Sequence, residues 1–263
     1  MWSLIEEPRN LSREFISLDA VIRNKVIMMN RALDSKQLRE AYKYRDPIRT
    51  KNSLALEGTK ITEDNIETIY NGGSTINVNT NTFLEAVNMK SAIDIMYYYL
   101  DRGQNLTEGI MLRLHLTLSN GLLDSNNSGK YRDCVVTIGR GNYQVAAINQ
   151  TNKLVKQLFN VLYTIRSPLL RATFFSYTLV SIHPFKDYNG RLSRLCESYI
   201  LMQSGYPSIT IDGENRTKYM RLIRDAQESG HKVNWEYTKW IGEIILETID
   251  SVLYSSPEHT ELF

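Results

Sequence analysis

A twelve-residue stretch that begins at His183 carries the residue types that act on phosphate groups. It runs His-Pro-Phe-Lys-Asp-Tyr-Asn-Gly-Arg-Leu-Ser-Arg and contains one histidine, one aspartate and two arginines three residues apart. Histidine has a pKa suited to accepting a proton near neutral pH. A carboxylate can hold a divalent cation, and arginine binds phosphate oxygens through a fork of donors. This combination points to phosphoryl or nucleotidyl transfer.

Two predicted helices place these groups around one turn. The apolar run from Phe174 to Ile182 predicts a buried helix that ends at His183, because proline disfavours helix in the residue before it. Apolar residues further on recur at helical spacing, which predicts a second helix that begins near Tyr188 or Asn189, with Asp187 as its N-cap. The first N–H groups of that helix have no acceptor within it, so the turn is a predicted anion site.

The stretch resembles the signature of the Fic family, His-Pro-Phe-x-Asp/Glu-Gly-Asn-Gly-Arg-x-x-Arg. It matches at every fixed position except one, where Tyr188 replaces the glycine. The resemblance implies an all-α fold, a Fic-type helical bundle with a small β-hairpin flap. It also implies a protein adenylyltransferase, which moves AMP from ATP to a Ser, Thr or Tyr hydroxyl of a target protein with Mg²⁺ as cofactor. The target can be the chain itself, and a homodimer is an open alternative.

The resemblance also implies a role for each signature residue. His183 would deprotonate the target hydroxyl for attack on the α-phosphorus, and Asp187 would hold Mg²⁺. Asn189 and the backbone of Gly190 would hold the α-phosphate and the charge that develops on it. The β- and γ-phosphates would be held by the two arginines, Arg191 and Arg194.

The departure at Tyr188 bears on whether ATP is bound productively. Glycine at this position lets the backbone approach a phosphate in conformations that other residues resist. We expect the tyrosine ring to lean out to solvent, which would leave the N–H donors available and the enzyme active. An inward ring would instead narrow the site.

Two flanking stretches extend the resemblance. Tyr219 takes the place of an aromatic residue that packs on adenine, and Gln227 takes a place often held by an asparagine that contacts the nucleoside. Residues 133–147 predict a β-hairpin around a Gly-rich turn, which resembles the family's flap that holds a target segment by strand addition. A core tyrosine and a plain surface hairpin are the alternatives. The predicted docking positions are Val135, Val136 and Thr137.

The stretch Ser53-Leu-Ala-Leu-Glu57-Gly58 resembles the family's inhibitory motif, Ser/Thr-x-x-x-Glu-Gly/Asn. The resemblance implies that Glu57 pairs with Arg194 and occupies the guanidinium that would hold the γ-phosphate. An ordinary helix end with Glu57 in solvent is the alternative. We expect self-inhibition, with residues 1–80 forming an N-terminal helical extension and residues 81–255 a catalytic core.

Composition sets the class of protein. The chain has 263 residues, 42% of them hydrophobic, and a net charge of +2, which allows a sizeable core and gives no basic field for nucleic acid. Two cysteines without paired spacing give neither a disulfide framework nor a zinc site. We find no signal peptide and no apolar stretch near the ~20 residues of a membrane span. We therefore expect a soluble, cytoplasmic protein without a nucleic-acid or membrane partner.

Two other functions fit the same residues. Members of the family can transfer other nucleotidyl or phospho groups, and some that carry the inhibitory glutamate remove AMP by using that glutamate to activate water. A non-catalytic, nucleotide-binding regulatory module is the third hypothesis, because the altered loop at Tyr188 could prevent productive binding of ATP.

Overall fold

The structure, a computed structural model, describes residues 5, 8, 11–74, 77–136, 145–228 and 233–254. These residues form α-helices joined by short loops, which confirms the all-α expectation. In chain order the elements are α1 (Arg13–Ala32), α2 (Ser35–Glu57), α3 (Glu63–Tyr70), α4 (Thr80–Leu100), α5 (Glu108–Leu118), α6 (Ile148–Leu162), α7 (Pro168–Ile182), α8 (Asn189–Met202), a 3₁₀ turn (Gly213–Asn215), α9 (Arg216–Glu228) and α10 (Trp235–Tyr254).

The helix starts follow capping chemistry that is visible in the sequence. A side-chain oxygen at the N-cap accepts a hydrogen bond from a first-turn N–H in several of these helices, and α2 has a full capping box between Asp34 and Gln37. Proline occupies the first position of α7, where its missing N–H costs nothing. The capping residues of this kind are Ser12, Asp34, Thr62, Asn79, Thr107 and Ser167.

The helices α7 and α8 lie at the centre of the fold and are buried almost all round. Helices α6, α9 and α10 pack against α7, while α2, α4 and α5 pack against α8. A helix that is buried on every face is covered by neighbours on every face, and in α8 these also cover ionisable side chains such as Arg194 and Glu197. The loop between α7 and α8 is therefore held inside the bundle, and this loop carries the signature.

One hydrophobic cluster joins the N-terminal helices to the rest of the bundle. It contains Ile22, Met29 and Leu56 together with Phe175 and Ile241. Residues 13–57 thus share a core with α7 and α10, while the boundary expected at residue 80 stays a prediction. None of the described helices combines the length and the apolar character that crossing a bilayer requires.

The β-hairpin flap is not seen among the described residues. Residues 133–136 and 145–147, which would form its base, have no strand conformation. Residues 137–144, which include Thr137 and the Gly-rich turn, lie outside the described part of the chain.

Helix α2 ends at Gly58, which adopts the left-handed conformation with φ of 94°. The N–H groups of Gly58 and Thr59 donate to the carbonyls of Ala55 and Leu54, as in a Schellman motif. No atom lies within 4 Å of where a Cβ would stand at Gly58, so any cost of a side chain there is conformational.

We predict that Gly58→Ala lowers the free energy of unfolding by about 1 kcal/mol, because alanine resists positive φ. Gly109→Ala is the matched control. Gly109 lies in the first turn of α5 without a positive φ, and a Cβ there would meet only Oγ1 of Thr107 at an ordinary contact distance of 3.9 Å, so alanine should raise stability by up to about 1 kcal/mol. Urea unfolding measures both changes, and equal signs would contradict the assignment of Gly58 as a conformational stop.

Candidate active site

The loop between α7 and α8 is bracketed by two residues in the left-handed region. His183 ends α7 with φ of 52°, and Tyr188 precedes α8 with φ of 66°. No other non-glycine residue in the described part of the chain has positive φ. Each such residue costs roughly 1–2 kcal/mol, so surrounding contacts must hold the loop in shape.

Two side chains hold the loop from inside. Asn189 accepts a hydrogen bond from the N–H of Phe185 at 3.0 Å through Oδ1 and donates to its carbonyl at 2.9 Å through Nδ2. His115 of α5 accepts from the N–H of Gly129 through Nδ1, so its Nε2 donates to the carbonyl of Asp187 at 3.1 Å. The His115 ring also stacks on Phe185, with centroids 3.8 Å apart. Sequence analysis did not identify His115, because no local pattern links it to the loop.

Arg132, at the expected base of the flap, forms hydrogen bonds to the loop between α7 and α8. Its N–H donates to the carbonyl of Pro184 at 2.9 Å, and its Nε donates to the carbonyl of His183 at 2.7 Å. The two remaining guanidinium nitrogens donate to the carbonyls of Cys134 and Ala146. Among the described residues, the Arg132 side chain thus bridges Cys134 and Ala146, which lie on the two sides of the expected hairpin.

The positions predicted to dock a target segment are only partly described. Val135 is 81% exposed and Val136 is partly buried. Strand addition to this segment stays a prediction.

His183 has one ring nitrogen that can accept a proton. Its Nδ1 lies 3.2 Å from the carbonyl of Val180, which can only accept, so Nδ1 carries the proton and Nε2 has the free lone pair. Burial, together with the nearby charge of Arg132, lowers the pKa of His183 to about 4 despite the hydrogen bond to Val180. The imidazole is therefore neutral at physiological pH.

The N-terminus of α8 presents the anion site expected from the sequence. The N–H groups of Asn189, Gly190 and Arg191 have no acceptor within the helix, and the helix dipole adds positive potential. The predicted N-cap is wrong by one residue: Tyr188 is the N-cap, and Asp187 accepts the N–H of Tyr188 instead. The reason is the left-handed backbone of Tyr188, which delays the first helical residue.

Asp187 can serve as a magnesium ligand. Its side chain is 61% exposed at the edge of the anion site. Magnesium commonly binds through one or two carboxylates plus substrate phosphates, which fits a single accessible carboxylate beside a phosphate site. Among the described residues no group of three or more histidine, cysteine or acidic side chains could hold a metal by itself.

The ring of Tyr188 points inward, so the expectation of an outward ring is wrong. Tyr188 is only 5% exposed, and the Cζ atom of Arg191 lies 3.9 Å from its ring centroid. A cation over a tyrosine face is attracted by the ring quadrupole. This contact stabilises the ring in an orientation toward the helix rather than toward solvent. Burial also raises the pKa of Tyr188 to about 12.

Glu57 reaches across from the end of α2 to Arg194 of α8. The Nη2 of Arg194 donates to Oε1 of Glu57 at 2.8 Å and to the carbonyl of Ser53 at 2.9 Å, while Nε donates to Oγ of Ser53 at 3.2 Å. The Nη1 donates to the hydroxyl of Tyr219 at 3.2 Å. The buried guanidinium is thus shared among partners from α2 and α9.

The electrostatics favour this pair. Burial would raise the pKa of Glu57, but Arg194 and then Arg191 outweigh burial and hold that pKa below its ordinary value. Burial likewise opposes the charge of Arg194, yet Tyr219 and Glu57 raise its pKa. Both groups therefore stay ionised and attract each other; the Arg194 side chain is buried, while 26% of the Glu57 side chain is exposed.

Glu57 also lies against Gly190. A Cβ built on Gly190 would stand 2.5 Å from Oε1 of Glu57, so only glycine permits this approach. The Glu57 carboxylate thus occupies space at the start of α8, where a phosphate is expected. The contact between Arg216 Nε and the carbonyl of Leu56, at 2.9 Å, helps to hold the end of α2 there.

Of the two residues expected to contact the nucleoside, only Tyr219 has a described side chain. Tyr219 is buried, with 2% exposure, and its hydroxyl is engaged with Arg194. Gln227 lies in the last turn of α9, where its side chain falls outside the described part. Packing of adenine on Tyr219 and nucleoside contact by Gln227 both stay predictions.

Known sequences show where the chain is similar to others. Residues 105–201 match the model of the Fic/DOC family. Proteins called protein adenylyltransferase Fic from Drosophila persimilis and Aedes aegypti are 34% and 35% identical to this chain over 91 residues. That segment is 35% of this chain and only 17% and 18% of the relatives' own length.

Solved structures show the same fold over most of the chain. A Fic domain containing signalling protein from Bacteroides thetaiotaomicron VPI-5482 has a TM-score of 0.79 at 18% identity, covering 90% of this chain and 97% of its own. A Fic family protein from Desulfovibrio desulfuricans G20 has a TM-score of 0.79 at 23% identity, covering 95% and 77%. Fic-1 from C. elegans has a TM-score of 0.76 at 19% identity, covering 90% and 71%.

We predict that His183 stays neutral down to a pH of about 4, since its lowered pKa means that protonation occurs only below the ordinary range. The carbon-bound ring proton of His183, followed by NMR during a pH titration and assigned with His183→Gln, measures this directly. A midpoint at about pH 6.5, the value of a solvated histidine, would contradict the burial and charge argument.

Proposed function

We propose that this chain, whose residues 105–201 match the Fic/DOC family model, is a protein adenylyltransferase that moves AMP from ATP to a protein hydroxyl. One observation carries the proposal: a neutral His183, whose Nε2 keeps a free lone pair, lies on the short loop that leads into the N-terminus of α8. A base next to an anion site is the arrangement that hydroxyl attack on a phosphate requires.

In the proposed reaction, Nε2 of His183 takes the proton of a Ser, Thr or Tyr hydroxyl. The hydroxyl oxygen forms a bond to the α-phosphorus as the bond to the β-phosphate oxygen breaks, so pyrophosphate leaves. The N–H groups at the start of α8 stabilise the charge on the α-phosphate. The Asn189 side chain was expected to hold the α-phosphate itself, but both its amide oxygen and its amide nitrogen bind the Phe185 backbone. It would therefore contribute by closing the loop, which aims those N–H groups.

The charged residues would bind the remaining phosphates. Asp187 would hold Mg²⁺, which when bound neutralises phosphate charge and orients the leaving group. Arg191 and Arg194 would hold the β- and γ-phosphates with their guanidinium groups. We propose a cytoplasmic protein target, or the chain itself, and leave homodimer formation as a secondary proposal.

We further propose that Glu57 inhibits this activity. Its carboxylate holds Arg194 at 2.8 Å and lies against Gly190, so it competes with the phosphates of ATP for both groups. The two negative groups cannot share the site without strong repulsion. ATP would bind productively only after Glu57 moves.

Removal of AMP is the second candidate, and the position of Glu57 favours it. A carboxylate at the α8 N-terminus could take a proton from water that attacks a phosphodiester bound there, which would release AMP from a modified protein. A previously adenylylated protein, incubated with the chain, distinguishes this reaction from transfer.

We predict that His183→Ala slows AMP transfer by about 10²–10⁴-fold, because the hydroxyl loses its base. Incubation with α-labelled and γ-labelled ATP in parallel measures transfer, and only the α-label should become covalent. ATP affinity and the melting temperature should change little. Covalent α-label at the parent rate in His183→Ala would show that another group is the base.

We predict that Glu57→Gly raises self-modification by about ten- to a hundredfold, because the lost charge-assisted hydrogen bond amounts to roughly 1.5–3 kcal/mol. Glu67→Gly is the matched control, since Glu67 is exposed near the end of α3 and far from the signature in sequence. The control should leave labelling unchanged. Labelling that stays level or falls in Glu57→Gly would refute inhibition, and slower AMP release from a modified protein would favour the second candidate.

A further inference from the structure

Arg191 is enclosed by partners on three sides. Its Nη1 donates to Oε1 of Glu85 at 2.7 Å, its Nη2 lies 3.6 Å from Oδ1 of Asp187, and its Cζ lies 3.9 Å from the ring centroid of Tyr188. Only 6% of Arg191 is exposed. A long side chain that would otherwise sample many rotamers is therefore held in one place.

Glu85 is itself oriented by a second contact. It lies on α4, and its Oε2 accepts a hydrogen bond from Oγ1 of Thr59 at 2.9 Å. One carboxylate oxygen is thus assigned to Thr59 and the other to Arg191. The Glu85 contact therefore holds the Nη1 edge of the Arg191 guanidinium against α4. The Nη2 edge then faces Asp187, on the side from which a phosphate would approach.

We propose that Tyr188 is a positioning residue whose ring, together with Glu85, fixes Arg191 so that its Nη2 edge binds the β-phosphate of a nucleoside di- or triphosphate. This inference rests on the proposed function. It accounts for the replacement of the family's glycine. The left-handed backbone disfavours a tyrosine, but the same backbone places the ring under Arg191. Tyr188 supports the phosphate ligand and does not obstruct the site.

The test compares nucleotides that differ in one phosphate. In the Glu57→Gly background, calorimetry measures the affinity of ADP and AMP for each variant. Tyr188→Leu keeps a Cβ at the same backbone conformation and removes the ring. We expect it to weaken ADP binding by about thirtyfold, the equivalent of a desolvated cation–π contact, and to leave AMP binding within about twofold. Tyr188→Phe should keep ADP affinity within about threefold of the Glu57→Gly protein that retains Tyr188, because the aromatic face remains.

Two further variants sharpen the comparison. Glu85→Gln keeps the side-chain length but removes the charge, and it should also weaken ADP more than AMP. Tyr98→Leu is the matched control. The Cζ atom of Arg102 lies 3.5 Å from the ring centroid of Tyr98, near the end of α4 and outside the signature loop. Loss of the Tyr98 ring should therefore leave the affinities for ADP and AMP unchanged.

The alternative outcomes are distinct. Equal losses for ADP and AMP in Tyr188→Leu would mean that the ring only maintains the loop, and this would overturn the proposal. Unchanged or tighter ADP binding would overturn it as well, and tighter binding would show that the ring obstructs phosphate. Failure of the Glu57→Gly protein to bind ADP, AMP or ATP would instead refute the proposed function, and the positioning role with it.

Discussion

The site depends on one constraint, the reversal of the chain between two buried helices through left-handed residues at His183 and Tyr188. Neither residue favours that conformation, so the loop keeps its shape only because other parts of the fold hold it. Asn189 closes it from within, His115 holds it from α5, and Arg132 holds it from the preceding segment. The position of the His183 ring and the direction of the helix N–H groups both follow from this turn.

Those restraints also set the tautomer and the protonation state of His183. Because α7 ends at His183, the Val180 carbonyl is left without a helical partner and accepts from Nδ1. The same burial that permits tight packing of the loop keeps the imidazole neutral. Structure and protonation state thus have a common origin, and no separate catalytic partner is needed to set the tautomer.

Sequence predicted the parts of this site that are set locally. The end of α7 at His183 follows from proline, and the start of α8 follows from helical spacing of apolar residues. The pairing of Glu57 with Arg194 was also anticipated, but from resemblance to a known family and not from spacing. Local reasoning placed the N-cap at Asp187, because it could not foresee that Tyr188 would adopt positive φ.

The contacts that sequence did not predict are all between distant segments. His115, Arg132 and Glu85 bind the loop or its arginine across more than fifty residues or from another helix, and none forms a motif by itself. The ring of Tyr188 was misjudged for a related reason. Its inward orientation depends on where the Arg191 guanidinium lies, and that in turn depends on Glu85 of α4.

The two motif arginines are held by carboxylates of different kinds. Glu57 sits at the last residue of α2, beside a glycine stop, whereas Glu85 lies within α4 and is fixed by Thr59. A helix end can move at less cost than a residue inside a packed helix, since fewer contacts must break. Arg194 can therefore be released by a shift of the α2 end, while Arg191 stays in place. The arrangement makes Glu57 the movable partner of the site and Glu85 its fixed support.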